Sequence, residues 1–108
     1  MDTLKVLAQS NPSAATWTNA YTVPAATSAT VSSIVVANRS AVATSFRISV
    51  AVAGAADGPK QYLYYDVAIN GNDSFAATLG ITLAATAVIR VYATLATLSF
   101  NIFGVEIT

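Results

Sequence analysis

The chain has 108 residues, with five basic and five acidic side chains, no histidine and no cysteine. The length predicts a single domain, and the missing residue types exclude Ser-His and Cys-His nucleophilic sites and thiolate metal sites. Only 9% of the residues are charged, against about 25% in an average soluble domain. Because no basic stripe is available for phosphates, we expect no nucleic-acid partner. So little charge indicates outer faces that neighbouring molecules cover.

No window of about 20 residues is uninterruptedly apolar, which argues against a membrane-spanning helix. The segment that follows Met1 carries Asp2 and Lys5 and lacks the apolar stretch of a secretory signal. We therefore expect a protein without a membrane partner or signal peptide.

In chain order, residues 1–15 are predicted to form an N-terminal arm or edge segment, and residues 16–108 a β-sandwich domain. Strands are expected at Trp17–Val23, which Pro24 ends, and at Ser28–Asn38, which is apolar on both faces. The clearest alternation is in Val42–Val52. It predicts that Phe46 points inward and Arg47 outward.

The next strand, Gln61–Ile69, is predicted to place four side chains inward and three outward. The inward set is Leu63, Tyr65, Val67 and Ile69, and the outward set is Tyr62, Tyr64 and Asp66. Asn70-Gly71 predicts a hairpin to a partner strand at Ser74–Leu83. Thr86–Thr94 then places Arg90 and Tyr92 outward.

The final strand, Leu98–Ile107, is apolar on both faces. Phe100 and Ile102 share one face, whereas Phe103, Val105 and Ile107 share the other. Either a bulge near Phe103 reverses the pleat, or one face lies in the core and the other against a second subunit. We favour the second interpretation and take Phe100, Ile102, Phe103 and Val105 as candidate oligomer contacts.

These patterns together predict an all-β fold. The expected architecture is a single antiparallel β-sandwich of jelly-roll or Greek-key type, with about eight strands and no helix.

Five outward side chains are the candidate partner-binding residues: Arg47, Tyr62, Tyr64, Arg90 and Tyr92. Exposed tyrosine and arginine are favoured anchors in protein interfaces, but neighbouring tyrosines also hold sugar rings or stabilise a sheet by cross-strand packing. Trp17 is expected in core or loop packing. The five carboxylates are scattered along the chain, so we predict no catalytic residues, no metal site and no cofactor.

The sequence resembles a family of small tailed-bacteriophage virion proteins from about Trp17 onward. The runs that carry the resemblance are Tyr21–Pro24, Val31–Asn38, Ser45–Ile48, Gln61–Asp66, Asn72–Phe75, Leu79–Leu83 and Ser99–Gly104. These runs mark strands and turns, and they contain no residues with a chemical role.

The resemblance implies a non-enzymatic virion component made in the cytoplasm of a bacterial host. Within the virion, a short single-domain chain suits a capsid cement or decoration protein that binds the major capsid protein and stabilises the head. We expect such a protein to self-associate, as a trimer at capsid three-fold positions or otherwise as a dimer. The alternative is a tail- or fibre-associated protein with a receptor- or glycan-binding sandwich.

Overall fold

A computed structural model describes the whole chain, Met1–Thr108, and shows an all-β fold of eight strands. The strands are β1 (Asp2–Ser10), β2 (Thr18–Thr22), β3 (Ser28–Asn38), β4 (Thr44–Ala51), β5 (Tyr62–Ile69), β6 (Ser74–Leu83), β7 (Val88–Ala93) and β8 (Leu98–Ile107). Two short 3-10 turns, Val52–Gly54 and Pro59–Gln61, lie between β4 and β5. The predicted all-β class and strand number are confirmed.

The strands form two antiparallel four-stranded sheets. Sheet I has the order β1-β8-β3-β6, and sheet II has the order β2-β7-β4-β5. Only β4 and β5 are neighbours both in sequence and in a sheet, so every other link crosses between the sheets. The predicted N-terminal arm or edge segment contains β1, an edge strand of sheet I.

The core lies between the two sheets and is built from alternate residues of each strand. Phe46 of sheet II and Phe100 of sheet I are both almost fully buried, and their rings meet edge to face with centroids 6.1 Å apart. Ile34, Ile48, Ile89 and Ile102 are completely buried around them.

Two irregularities in β5 decide which of its side chains face outward. Tyr64 pairs with Ile48 and Val67 pairs with Phe46, so Tyr65 and Asp66 together oppose the single residue Arg47. A bulge of this kind adds one residue to β5 and turns both Tyr65 and Asp66 to the outer face. Asp66 takes a positive φ of 52°, which aspartate tolerates.

The strict alternation predicted for β5 is therefore partly wrong. Tyr64 points inward and packs on Phe46 and Phe75, whereas Tyr65 points outward. Leu63, an extra residue between the pairs that Tyr62 and Tyr64 make with β4, is 45% exposed although the sequence placed it inside.

The predicted hairpin at Asn70-Gly71 is also wrong, because β5 belongs to sheet II and β6 to sheet I. The Asn38 side chain holds this link by donating hydrogen bonds to the carbonyls of Val42 (2.8 Å) and Asn70 (3.2 Å). A Cβ on Gly71 would lie 2.0 Å from the Ala41 carbonyl oxygen. Glycine is thus required here for close packing of two loops.

The pleat of β8 runs without reversal from Leu98 to Val105. Leu98, Phe100 and Ile102 are buried, and Phe103 and Val105 face outward. The bulges lie in its neighbours, between Val6 and Ala8 of β1 and between Val31 and Ser33 of β3.

Candidate functional site

The outer face of sheet II carries a closed ring of five side chains, here called the aromatic ring cluster: Trp17, Tyr62, Tyr65, Arg47 and Tyr92. The rings of Trp17 and Tyr62 are nearly parallel, with centroids 5.7 Å apart. The ring centroid of Trp17 lies 5.4 Å from that of Tyr92, and the centroid of Tyr62 lies 4.9 Å from that of Tyr65. Arg47 completes the ring, since its guanidinium carbon Cζ lies 4.2 Å from the ring centroid of Tyr65 and 4.4 Å from that of Tyr92.

Arg47 is fixed from two directions. Its Nε donates to Asp66 Oδ1 at 2.7 Å and its Nη2 to Asp66 Oδ2 at 3.3 Å, so that the fork of the guanidinium meets both carboxylate oxygens. This hydrogen bonding raises the pKa of Arg47 further above its ordinary value. The two rings on either side of the guanidinium add cation–π attraction.

Tyr62 joins the cluster to the loop that precedes β5. Its hydroxyl donates to Asp57 Oδ2 at 3.1 Å. Desolvation, together with this hydrogen bond, raises the pKa of Tyr62 above its ordinary value.

A second row of side chains crosses sheet II beside the cluster, from Asn19 through Arg90 and Ser49 to Tyr62. Arg90 Nε donates to Asn19 Oδ1 at 3.1 Å, and its Nη2 donates to the Gly54 carbonyl at 3.3 Å. Ser49 is completely buried although it points away from the core. The neighbouring side chains therefore form a third layer over sheet II.

Four of the five predicted partner-binding residues lie on this outer face: Arg47, Tyr62, Arg90 and Tyr92. Tyr64 does not, because the β5 bulges turn it inward. The sequence interpretation missed Tyr65, which is 53% exposed, and Trp17, which was assigned to core or loop packing. The pair Tyr65-Asp66 opposite Arg47 could not be read from alternation, since a bulge adds a residue without a sequence mark.

The outer face of sheet I is chemically different and carries what we call the apolar stripe: Leu4, Val6, Phe103, Val105 and Ile107. Leu4 pairs directly with Val105, and Val6 pairs with Phe103, across the β1–β8 ladder. Serine and threonine of β3 and β6 flank the stripe, with Ser33 opposite Phe103 and Thr30 opposite Val105.

The structure separates the four candidate oligomer contacts into two pairs. Phe100 and Ile102 lie in the core, with exposures of 1% and 0%, so the prediction that they contact another subunit is wrong. Phe103 and Val105 lie on the outer face within the apolar stripe, and their role as oligomer contacts stays a prediction.

No group of three or more acidic, histidine or cysteine side chains lies close enough together to hold a metal ion. Two shallow surface depressions, of about 330 and 500 Å³, lie along sheet I, and neither is lined by a charged residue. No helix of the fold has the length and hydrophobicity needed to cross a membrane.

Comparison with known proteins found no matching family model, curated protein or solved structure. The resemblance to tailed-phage virion proteins accordingly stays a prediction from the sequence runs given above.

Proposed function

We propose that the protein is a non-enzymatic virion component, a capsid decoration protein that binds the major capsid protein of a tailed phage and stabilises the head. The strand order of the two sheets fits a jelly roll, in which two Greek keys interlock. A compact sandwich with two broad outer faces suits a unit that attaches to a lattice by one face.

The observation that carries the proposal is the aromatic ring cluster. Tyrosine, tryptophan and arginine are the residues most enriched among binding hot spots, and rigid side chains lose little entropy when they bind. The cluster holds such side chains in a fixed arrangement, and Tyr65, which is 53% exposed, is its most accessible member. We assign the capsid contact to this face.

The absence of clustered titratable groups is the second support. Four of the five carboxylates are engaged in local contacts: Asp57 with Tyr62, Asp66 with Arg47, Asp73 with the Ser74 backbone N–H, and Glu106 with Tyr21 and Lys5. Neither depression brings together an acid and a base, or a nucleophile and a base that could activate it.

A second candidate function has a specific observation in its favour. The cluster combines aromatic rings with the carboxylates of Asp57 and Asp66 and the amide of Asn19, which are groups that hold a sugar by stacking and hydrogen bonding. A receptor- or glycan-binding role at the tail or a fibre would use the same face.

The two functions can be separated with Tyr65→Ala and a matched control, Leu63→Ala. Both residues lie in β5 and are about half exposed, at 53% and 45%, but only Tyr65 belongs to the cluster. Truncating a hot-spot anchor often costs about 2 kcal/mol, roughly thirtyfold in affinity. Phage particles that carry each variant are assayed for occupancy, for rupture on heating and for adsorption to host cells.

A decoration protein predicts that Tyr65→Ala lowers occupancy and makes heads break at lower temperature, while Leu63→Ala has neither effect. A glycan-binding module predicts full occupancy with lost adsorption. Full occupancy, unchanged head stability and unchanged adsorption would contradict both assignments of this face.

A further inference from the structure

The apolar stripe on sheet I has no cover within the chain. Leu4 is 84% exposed, Val6 47% and Ile107 39%, and Phe103 and Val105 complete the stripe between them. On sheet II, by contrast, the outward Ser49 is completely buried by side chains of the same chain. A contiguous exposed apolar patch on a soluble domain marks an interaction surface.

Charge decides which occupant fits this surface. Among the residues of sheet I that point outward, only Asp2 is charged, and it lies at the end of β1. Lys5 and Glu106 lie in the opposite phase of the pleat, where Tyr21 of sheet II binds Glu106. Asp2 is thus the one like charge that two copies of this face would bring together, and it lies at the edge, whereas a face with several charges of one sign would oppose its own copy.

The size of the face is sufficient for a stable contact. Four strands about 4.8 Å apart, each about ten residues long with a rise of about 3.3 Å, span roughly 600 Å² in projection. A standard protein interface buries about 800 Å² of accessible surface per partner, and a pleated face exceeds its own projected area. The free edge of β1 suits pairing less well, because the bulge at Leu7 interrupts its regular hydrogen-bonding spacing.

We propose that sheet I packs face to face against sheet I of a second copy of this chain, with the apolar stripe at the centre of the contact. A face that packs against itself is closed by a two-fold axis, so the unit is a dimer. The sheets lie about 10 Å apart, as in other sandwiches. This proposal holds for either function of sheet II and does not depend on the capsid assignment.

The test compares the full-length wild type with Leu4→Lys and a control, Val52→Lys. Leu4 and Val52 are both strongly exposed, at 84% and 74%, so neither change removes core packing. Leu4 lies in the stripe, whereas Val52 lies in the 3-10 turn after β4 of sheet II. Sedimentation equilibrium at tens of micromolar gives the mass of each, and circular dichroism checks that each remains folded.

We expect a dimer for the wild type and for Val52→Lys. For Leu4→Lys we expect the dimer dissociation constant to rise more than about tenfold, because two added charges meet at the contact. Emission from Trp17, the only tryptophan, should not change on dissociation because it lies on sheet II. A wild-type monomer, a trimer, or equal association of the two variants would overturn the proposal. These measurements use purified protein without particles, so their outcome is independent of head occupancy and adsorption.

Discussion

The Tyr21 hydroxyl donates a 2.6 Å hydrogen bond to Glu106 Oε2 and thereby links β2 of sheet II to β8 of sheet I. Lys5 of the edge strand β1 binds the other carboxylate oxygen at 3.1 Å. Three strands from two sheets thus meet at one carboxylate. The hydrogen bond from Tyr21, with that from Lys5, lowers the pKa of Glu106, while burial and the same carboxylate raise the pKa of Tyr21.

These two shifts predict that the free energy of unfolding falls at both ends of the pH range. A carboxyl whose pKa is lowered on folding contributes fully above its ordinary value of 4.5, and the contribution is lost as pH falls through the folded value. A phenol whose pKa is raised contributes fully below its ordinary value of 10.0, and the contribution is lost at higher pH. Urea unfolding across this range measures both limbs.

The variant Tyr21→Phe tests whether the losses of stability in acid and in alkali come from this link between the sheets. The variant keeps the ring in the core but removes the donor, so we expect lower stability at neutral pH and a flatter profile in both acid and alkali. Tyr65→Phe is the control, since the Tyr65 hydroxyl makes no such bond. An unchanged alkaline limb in Tyr21→Phe would show that other groups cause it.

Gly104 is predicted to be the glycine of sheet I that cannot be replaced. A Cβ there would lie 2.1 Å from the Thr30 carbonyl oxygen and 3.0 Å from Leu7 Cδ1. The backbone of β3 cannot move away without breaking its ladder with β8, so Gly104→Ala should lower the free energy of unfolding by about 3 kcal/mol or more. Denaturant titration measures the loss.

The matched control is Gly80→Ala, in β6 of the same sheet. A Cβ at Gly80 would meet no atom within 4 Å. Alanine there should leave stability unchanged or raise it by about 0.5–1 kcal/mol, because a strand glycine costs conformational entropy. Equal effects at the two positions would refute the steric argument.

The strand positions were readable from the sequence because apolar alternation and turn residues act locally. Ser28–Asn38, Ser74–Leu83 and Leu98–Ile107 have the predicted bounds. The partners of the strands were not readable, and Asn70-Gly71 shows why. The same dipeptide that suits a hairpin also suits a close loop contact, and the contact with Ala41 is formed by residues distant in sequence.

The candidate site was readable only in part for a related reason. Arg47, Arg90 and Tyr92 lie on regularly paired strands, so period-two alternation placed them correctly. Tyr64 and Tyr65 were exchanged because one extra residue in β5 reverses the phase. Trp17 lies just before β2, where no alternation indicates its direction.

Arg47→Lys is predicted to weaken the aromatic ring cluster even though the charge is kept. Lysine cannot make the two-pronged contact with Asp66 or stack flat on Tyr65 and Tyr92. We therefore expect the free energy of unfolding to fall by about 1–2 kcal/mol. Trp17 emission should shift as Tyr92 is released. Asp66→Asn removes only the ion pair, which is partly exposed to solvent and should contribute less. If Asp66→Asn lowers the free energy of unfolding as much as Arg47→Lys does, the contacts of Arg47 with the two rings contribute nothing to stability.

Ser49→Ala is predicted to leave the protein as stable as the wild type, or more stable by about 1 kcal/mol. Ser49 is completely buried beneath the third layer of sheet II, and its Oγ has no protein hydrogen-bond partner. A buried hydroxyl without a partner carries a desolvation cost of about 1–3 kcal/mol, which alanine removes while leaving only a small gap.

The control for Ser49→Ala lies four residues earlier on the same strand and the same face. Ser45 Oγ shares a 2.7 Å hydrogen bond with Thr94 Oγ1, so Ser45→Ala should lower the free energy of unfolding by about 0.5–1.5 kcal/mol. Urea unfolding of both variants compares a hydroxyl that is paired with one that is not. A loss at Ser49 as large as that at Ser45 would contradict the argument that Ser49 Oγ is buried without a partner.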